Sequence, residues 1–151
     1  MKKYKLISEP RTSLKRVVAL RDIPSICKRG DRGGLVESEN NLSQEGNCWV
    51  SGNARVSGNA LVSGNALVYG DARVLGVLES GDWKTSPFFA SSTKHTISEC
   101  RKNWLKIGCE RHPIEHWLKH GREIAKSAGY SKSETDFYMA LIRAYANSAK
   151  V

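Results

Sequence analysis

Two cysteines and two histidines in the last third of the chain have the residue types of a zinc site. They follow the spacing Cys-x8-Cys-x2-His-x3-His, at Cys100, Cys109, His112 and His116. Thiolate sulfur and imidazole nitrogen are the ligands that zinc prefers, and the two histidines would lie one turn apart on a helix. The gap between the cysteines is longer than in common zinc sites, and Cys109 equally fits a buried strand thiol. The sequence therefore leaves structural zinc and a core cysteine as alternatives.

A thiol nucleophile is the second kind of chemistry that these residues could support. Cys109 would attack, His112 or His116 would act as its base, and Glu115 would orient the imidazole. No second segment stands out as an oxyanion hole, so we favour a cysteine that only packs. His120 continues the histidine line by one more turn, as is typical of the solvated edge of an amphipathic helix.

Aromatic and basic side chains in the second half of the chain could form a surface for another macromolecule. Trp, Tyr and Arg carry most of the binding energy at protein interfaces. Core packing accounts for most of the aromatic residues, but some lie in a predicted linker, and two basic residues lie on a predicted helix. The predicted partner-binding residues are Trp83, Lys84, Phe88, Phe89, Lys119 and Arg122.

The net charge of +9 is distributed unevenly along the 151 residues. Residues 1–34 sum to +7, residues 35–83 to −4 and residues 84–151 to +6. Basic ends could bind phosphates or an acidic protein surface, although basic residues scattered among apolar ones are also typical of a plain solvated surface. A composition of 40% hydrophobic and 26% charged residues predicts a globular chain of about one domain, not a disordered one.

Neither a membrane span nor a signal peptide is predicted. No run reaches the roughly 18 apolar residues that cross a bilayer, and the basic residues 1–5 are not followed by an apolar core. We therefore expect no membrane association and a cytoplasmic location. In that compartment the four cysteines, which include Cys27 and Cys48, are expected to be reduced thiols.

A repeat of six residues runs through the middle of the chain. From Gly46 it reads GNCWVS, GNARVS, GNALVS, GNALVY and GDARVL. The Gly-Asn and Gly-Asp pairs exclude a helix, since glycine costs up to about 1 kcal/mol at each helical position. A β-hairpin meander would have strands of only about four residues between its turns. We predict a β-solenoid instead, with valines inward and with Gly and Asn at corners in left-handed backbone conformations. The repeating inward residues are Val50, Val56, Val62, Val68, Val74, Ala54, Ala60, Ala66 and Ala72.

The pattern Val-x-Gly-Asn-Ala-x resembles the hexapeptide repeat of left-handed parallel β-helices, known from bacterial acyltransferases. In that family three hexapeptides form one triangular coil, so residues 36–77 would make slightly more than two coils. The resemblance also implies frequent trimers, a general-base histidine on the coil wall and coenzyme A along it. Here residues 24–94 contain no histidine and His95 follows the coil, so an acyltransferase with an atypical site is kept as an alternative.

Two further stretches carry a more specific resemblance. Residues 30–50 read GDxGGxVESExNLSxxGxCWV, and residues 107–117 read IGCxxHxxExW. Both are similar to small hexapeptide-repeat proteins that are common in bacteriophages and prophages. The resemblance implies a phage-type accessory protein acting in the host cytoplasm, and it carries no enzymatic activity across.

The segments on both sides of the repeat are expected to close the coil, because a short solenoid cannot bury its core alone. Residues 4–7 and 17–20 are predicted as strands, and residues 28–34 as a glycine-rich bend. The predicted domains are an N-terminal β cap over 1–34, a β-helix over 35–80, a linker over 81–94 and a C-terminal α+β unit over 95–151.

The C-terminal unit is predicted to contain a hairpin and two helices. Residues 96–100 and 104–109 would pair as strands, Pro113 would be the first residue of a helix, and Gly121 could break that helix. Gly129 would follow its end. A capping box of Ser131 and Glu134 would start the last helix. The predicted buried faces are Ile114, Trp117, Leu118, Ile124 and Ala125 on the first helix and Phe137, Leu141, Ala144 and Tyr145 on the second.

The sequence thus predicts a mainly β protein, a short left-handed parallel β-helix with an N-terminal β cap and a small C-terminal α+β unit. Its expected role is that of a non-enzymatic, cofactor-free adaptor or inhibitor, for example an anti-defence factor. It would form a dimer or trimer and bind a host protein or protein complex. A basic nucleic-acid-binding module is a further alternative.

Overall fold

The computed structural model describes residues 1–90 and 94–149, and it is mainly β. It has 14 strands, two helices and one 3-10 turn at Glu39–Asn41. The strands are β1 (Tyr4–Ser8), β2 (Lys15–Ala19), β3 (Arg32–Val36), β4 (Trp49–Val50), β5 (Arg55–Val56), β6 (Leu61–Val62), β7 (Leu67–Val68), β8 (Arg73–Val74), β9 (Val77–Leu78), β10 (Asp82–Trp83), β11 (Phe89–Ala90), β12 (Ile97–Arg101), β13 (Trp104–Ile107) and β14 (Glu110–Pro113). The helices are α1 (Ile114–Ser127) and α2 (Lys132–Ala149).

The hexapeptide region pairs with itself in parallel, and each partner lies three repeats further along. Val56 of β5 is opposite Val74 of β8, and Val50 of β4 is opposite Val68 of β7. Strands β6 and β9 also pair in parallel, although Val62 is opposite Leu78, which is two residues short of three full repeats. Because every partner is the third strand along and never the next one, the chain passes through three sheets in turn. A hairpin meander would instead pair neighbouring strands in antiparallel, so that alternative is excluded for this region.

The inward positions of the repeat are occupied as predicted. The nine repeating valines and alanines are at most 1% exposed. The corner glycines Gly46, Gly52, Gly58, Gly64 and Gly70 have φ between +59° and +69°, which is the predicted left-handed conformation. The residues that follow these glycines have no positive φ, so among the described corners glycine alone supplies the left-handed step.

The N-terminal segment continues one sheet of the hexapeptide region. The two predicted strands are present as β1 and β2 and pair in antiparallel, β2 pairs with β3, and β3 pairs in parallel with β5. The predicted bend over 28–34 is shorter than expected, because Gly33 and Gly34 lie in β3. A Cβ on either glycine would come within 2.5 Å of Val50. These two glycines therefore allow β3 to approach β4 closely and do not form a turn.

The predicted linker over 81–94 contains two strands among its described residues. In β10, Trp83 is the parallel partner of Val68 in β7, and β11 pairs in antiparallel with β12. Trp83 follows Val68 by fifteen positions, which is not a multiple of six, so the repeat could not predict this strand. The Ser-Ser-Thr part of the linker, residues 91–93, lies outside the described residues.

The C-terminal hairpin is confirmed, and a third strand extends it. Strands β12 and β13 pair in antiparallel, and β14, which was not predicted, pairs with β13. Pro113 is the N-cap of α1 and not its first residue, and the helix runs unbroken through Gly121. A Cβ on Gly121 would lie 2.7 Å from Met139 Sδ. The glycine therefore permits close packing of α2 on α1, which explains why it does not break the helix.

The buried faces of the two helices differ in part from those predicted. Leu118 and Phe137 are more than a third exposed, and Ala144 is exposed too. The buried face of α2 includes Tyr138 in place of Phe137, and the Tyr138 hydroxyl donates to His95 O at 2.6 Å. This hydrogen bond makes the burial of a tyrosine tolerable. The face consists of Thr135, Tyr138, Met139, Ile142, Tyr145 and Ala146.

The ends of the helices follow the predicted signals. Gly129 follows α1 with a φ of +81°. Ser131 and Glu134 form the predicted capping box, with Glu134 N donating to Ser131 Oγ and Ser131 N donating to Glu134 Oε1. In the part of the chain that the structure describes, neither helix is both long and apolar enough to span a bilayer.

The protein has two hydrophobic cores, and the elements that enclose them pack on each other. The first fills the hexapeptide region and the N-terminal sheet, and the second lies between β12–β14 and the two helices. Where they meet, Glu79 N donates to Cys100 O at 2.9 Å, and a Cβ on Gly76 would lie 2.3 Å from Ser98 Oγ. The C-terminal hairpin therefore packs directly on the last strands of the hexapeptide region.

Candidate partner-binding surface

A basic and aromatic surface lies where the C-terminal hairpin packs on the hexapeptide region. The hairpin supplies cations from β12, from β14 and from the turn after β12, and the hexapeptide region supplies a carboxylate and an indole. We call this surface the hairpin patch. It consists of Glu79, Trp83, Arg101, Lys102, Trp104 and Arg111.

Glu79 holds the two arginines of the hairpin patch in place. Arg101 donates from Nε and pairs through Nη2 with Glu79 Oε2, at 3.2 and 3.1 Å, and Arg111 Nη2 lies 3.0 Å from Oε1. The Glu79 side chain is 15% exposed, whereas both arginines are 46% exposed. Ion pairs at the surface contribute at most about 1 kcal/mol, so the effect of Glu79 is mainly to orient the guanidinium groups. Each guanidinium has five N–H donors, and those not used by Glu79 are left for a ligand.

Two indole rings lie under the cations of the patch. Lys102 Nζ is 3.7 Å from the ring centroid of Trp83, and Arg101 Cζ is 5.3 Å from that of Trp104. A cation over an indole gains about 0.5–1 kcal/mol at an exposed site. The patch thus places two arginines on one carboxylate, and it places Arg101 and Lys102 over rings that limit their motion. Such a surface can bind carboxylates or phosphates.

Two of the aromatic residues predicted to bind a partner belong to the cores. Trp83 is 2% exposed, and its Nε1 donates to Ser80 O at 2.9 Å. Phe88 packs on the second core, with its ring centroid 5.3 Å from that of Tyr145. Both positions were expected in a linker, and they are covered because β10 and β11 add to the sheets. Burial leaves little of the Trp83 ring for a direct contact, and a role of Trp83 and Phe88 in binding stays a prediction.

The other predicted partner-binding residues are more accessible. Phe89 is half-buried on β11, and Lys84 and Lys119 are exposed. Arg122 is exposed on α1, where its Nη1 lies 2.8 Å from Asp136 Oδ1. A role for these four residues in binding stays a prediction.

The four predicted zinc ligands are not brought together. Cys100 is buried beside Trp104, its Sγ 3.9 Å from Trp104 O, and burial raises the pKa of its thiol. Cys109 is exposed in the turn at the opposite end of β13, a distance of about 10 Å along a four-residue strand. Within residues 1–90 and 94–149 no three His, Cys, Asp or Glu side chains are placed to hold a metal ion. The zinc prediction for Cys100, Cys109, His112 and His116 is therefore not supported by the geometry.

The predicted thiol–imidazole pair is not formed either. Cys109 is exposed, which also corrects its interpretation as a buried strand thiol. His112 Nε2 lies 2.7 Å from Glu110 Oε1, and the rings of His112 and His116 stack with centroids 4.1 Å apart. In the part of the chain described, neither imidazole hydrogen-bonds to the Cys109 thiol. The reason is that β14 separates the turn that holds Cys109 from the helix that holds His116.

The three predicted histidines do form a stack of rings, but His112 lies in β14 and not on the helix, so only His116 and His120 are on α1. The His120 ring centroid lies 4.8 Å from that of His116, which continues the stack begun by His112. Partial burial, followed by the neighbouring charges of His112 and His120, lowers the pKa of His116. Protonation of His116 is therefore less favourable than protonation of an ordinary histidine.

His95, the histidine nearest to the repeat, lies in the C-terminal part and not on a wall of the hexapeptide region. The Nδ1 atom of its ring hydrogen-bonds to Tyr130 Oη, and its backbone N–H donates to Tyr138 Oη at 2.7 Å. Burial raises the pKa of Tyr130 to about 12. The apolar cavity beside these groups has a volume of about 100 Å³, whereas sites for cofactors the size of coenzyme A are several times larger. An acyltransferase site at His95 has little geometric support.

Sequence reasoning missed the central residues of the hairpin patch. It identified residues 101–103 as a turn, but not Glu79, Arg111 or Trp104 as members of a surface. The available signal was charge, because the region over 35–83 is acidic and the segment after it is basic. That signal indicates attraction between two segments, but it does not say which pairs meet.

Neither a protein-family model nor a curated protein matches this sequence. A proposal for function therefore depends on the side-chain geometry and on the sequence pattern.

Proposed function

We propose that this protein is a non-enzymatic, phage-type accessory protein that binds an acidic surface of a host macromolecule and inhibits it, for example as an anti-defence factor. A short left-handed parallel β-helix is the scaffold, and the hairpin patch is the binding surface. The observation that carries the proposal is the pairing of Arg101 and Arg111 with the single carboxylate of Glu79, with Lys102 beside them over the Trp83 ring. The place of action would be the host cytoplasm.

The pairing of the hexapeptide region supports the scaffold part of the proposal. Parallel partners three hexapeptides apart are what a three-sided coil requires, and the repeat resembles that of left-handed β-helices. Short parallel strands in successive layers make a stiff element, because each layer hydrogen-bonds to the next. A stiff element would hold the hairpin patch in one orientation toward a partner.

Self-association as a dimer or trimer is part of the same proposal. Tyr69 and Leu75 are 38% and 51% exposed, and they occupy the repeat position that Ser51, Ser57 and Ser63 fill in the earlier repeats. Apolar side chains at the outer corners of the last repeats would suit contact with a second copy. Sedimentation should give two or three times the mass of the chain, and a purely monomeric species would contradict this part.

A protein partner is favoured over nucleic acid by the way the patch is built. Trp83 is buried beneath Lys102, so its ring is not available to stack on a base. Fixed arginines with donors to spare instead suit aspartate and glutamate side chains. Nucleic-acid binding would be recognised by an affinity that falls steeply with salt.

The test compares two variants with equal loss of charge. Arg101→Gln with Lys102→Gln removes two cations of the patch and leaves Arg111 on Glu79. The control, called the α1 variant, is Lys126→Gln with Arg143→Gln, which removes one exposed cation from α1 and one from α2. Partners captured from a bacterial lysate would be purified, and their affinity for each variant measured.

We expect the patch variant to bind at least about tenfold more weakly, because arginines of this kind act as hot spots, and the α1 variant to bind like the original protein. Equal affinities of the two variants, or capture of nothing above background by the original protein, would contradict the proposal. Stabilisation by coenzyme A in a thermal melt would favour the acyltransferase alternative.

A further inference from the structure

A lysine is buried completely at the first layer of the hexapeptide region. The Lys3 side chain is 0% exposed, and its Nζ donates to the carbonyl oxygens of Cys48 at 2.8 Å, Glu45 at 3.3 Å and Gly46 at 3.4 Å. Strand β4 is at the edge of its sheet. The carbonyl groups beside it therefore face no further strand whose N–H groups could donate to them. The amine of Lys3 satisfies them, which makes its burial tolerable.

The same amine also contacts a buried thiol. Cys48 is 0% exposed, and its Sγ lies 3.2 Å from Lys3 Nζ. The thiol is further surrounded by carbonyl oxygens, with Val62 O at 3.5 Å and Glu45 O at 3.6 Å. Burial lowers the pKa of the Lys3 amine, so its neutral, nucleophilic form is reached at a lower pH than for an exposed lysine.

We propose that Lys3 and Cys48 form an oxidative modification site, at which a peroxide joins Lys3 Nζ to Cys48 Sγ through a covalent S–N bond. In the first step hydrogen peroxide oxidises the Cys48 thiol to a sulfenic acid and is itself reduced to water. In the second step the lone pair of the neutral amine attacks the sulfur, the S–O bond breaks, and hydroxide leaves with an amine proton as a second water. The thiol and the amine lose one hydrogen each, and the sulfur is oxidised by two electrons.

The geometry favours this second step over further oxidation of the sulfur. Sulfenic acids condense with nearby nitrogen nucleophiles, and an approach of 3–3.5 Å is the range from which bonds form readily. The carbonyl oxygens that accept from Lys3 hold the nitrogen at the sulfur and prevent its escape to solvent. The product would tie residue 3 to residue 48 and so fasten β1 to the hexapeptide region.

The test is a peptide map of the folded protein after peroxide treatment. Cys27→Ser and Cys109→Ser remove the half-buried and the exposed thiol, which would otherwise form disulfides or react first. After blocking of thiols and digestion with trypsin, we expect residues 3–5 joined to residues 33–55. The joined peptide should be two hydrogen atoms lighter than the sum of its parts, and dithiothreitol should separate it.

Two controls distinguish this bond from nonspecific oxidation. The same protein treated in concentrated urea should give no joined peptide, because the amine and thiol are then far apart. Lys3→Met should give Cys48 as thiol or sulfinic acid without a link, and Lys5→Met, at an exposed neighbour, should leave the link intact. Recovery of unlinked Cys48 from the folded protein, a link of any other mass, or equal linking in urea would overturn the proposal.

Discussion

Glycine performs two different tasks at the residue scale in this protein. At the corners of the repeat it supplies a positive φ that other residues adopt only with strain. At Gly33, Gly34 and Gly121 it supplies close approach, because a Cβ would clash with a neighbouring element. Gly64 combines both tasks, whereas Gly58 has only the first.

Replacing glycine by alanine should therefore lower the free energy of unfolding by different amounts at Gly58 and at Gly64. At Gly58, with a φ of +62° and no heavy atom within 4 Å of the added Cβ, we expect Gly58→Ala to lower the free energy of unfolding by about 1–2 kcal/mol. At Gly64 the Cβ would lie 2.2 Å from Glu79 O, a backbone atom that cannot move away. Gly64→Ala should cost about 3 kcal/mol or more. Urea unfolding followed by circular dichroism measures both, and equal losses would show that the close contact has no effect.

At the scale of elements, the sequence correctly predicted the features that depend on local residue patterns. The inward valines, the strands β1, β2, β12 and β13, and the capping box at Ser131 all follow from spacing or from capping chemistry. Strand β10 was not predicted because it breaks the period of six. The face of α2 was misjudged because Gly121, on another helix, decides where Met139 can lie.

The hairpin patch was beyond sequence prediction for a related reason. Glu79 and Arg111 are brought together by the packing of β12 on β9, and no local motif encodes that contact. The same holds for Lys3, whose burial depends on β4 being a sheet edge. Charge distribution indicated that the segments attract each other, but only the tertiary structure identifies the pairs.

The stack formed by the rings of His112, His116 and His120 should make the free energy of unfolding depend on pH. The pKa of His116 is lowered in the fold, by partial burial and by His112 and His120, while Glu110 opposes the shift and Glu123 faces His120. The unfolded chain then binds a proton more readily than the folded one. The contribution of His116 to the free energy of unfolding is fully present above the ordinary histidine pKa of 6.5. That contribution is lost as the pH falls through the lowered pKa of the folded protein.

We expect the Tm of the original protein to fall from about pH 7.5 to about pH 5.5, and to fall less in His116→Gln. Glu115→Gln is the control, since Glu115 is an exposed neighbour of His116 outside the stack. Thermal melts at the two pH values provide the measurement. An identical fall in the original protein and in His116→Gln would rule out the stack as the cause.

At the scale of the whole molecule, the hexapeptide region fixes where the C-terminal part is attached. The C-terminal part packs on the last strands of the hexapeptide region, where Glu79 N donates to Cys100 O and Gly76 lies against Ser98. The number of repeats therefore sets the direction in which the hairpin patch points. Adding one complete turn moves the attachment point of the C-terminal part along the coil and keeps it on the same sheet. Adding one hexapeptide moves the attachment point to the next sheet.

The most direct test of this winding is a pair of insertions after Val68. A second copy of residues 51–68 adds one full turn and keeps every sheet in phase, since Val50 pairs with Val68 and Val56 with Val74. A second copy of residues 63–68 adds one hexapeptide and moves each following strand to the next sheet. We predict that the long insertion unfolds cooperatively with a Tm equal to or above that of the original protein, and that the short insertion loses stability. Equal stability of the two, or a greater loss for the long insertion, would contradict a turn of three hexapeptides.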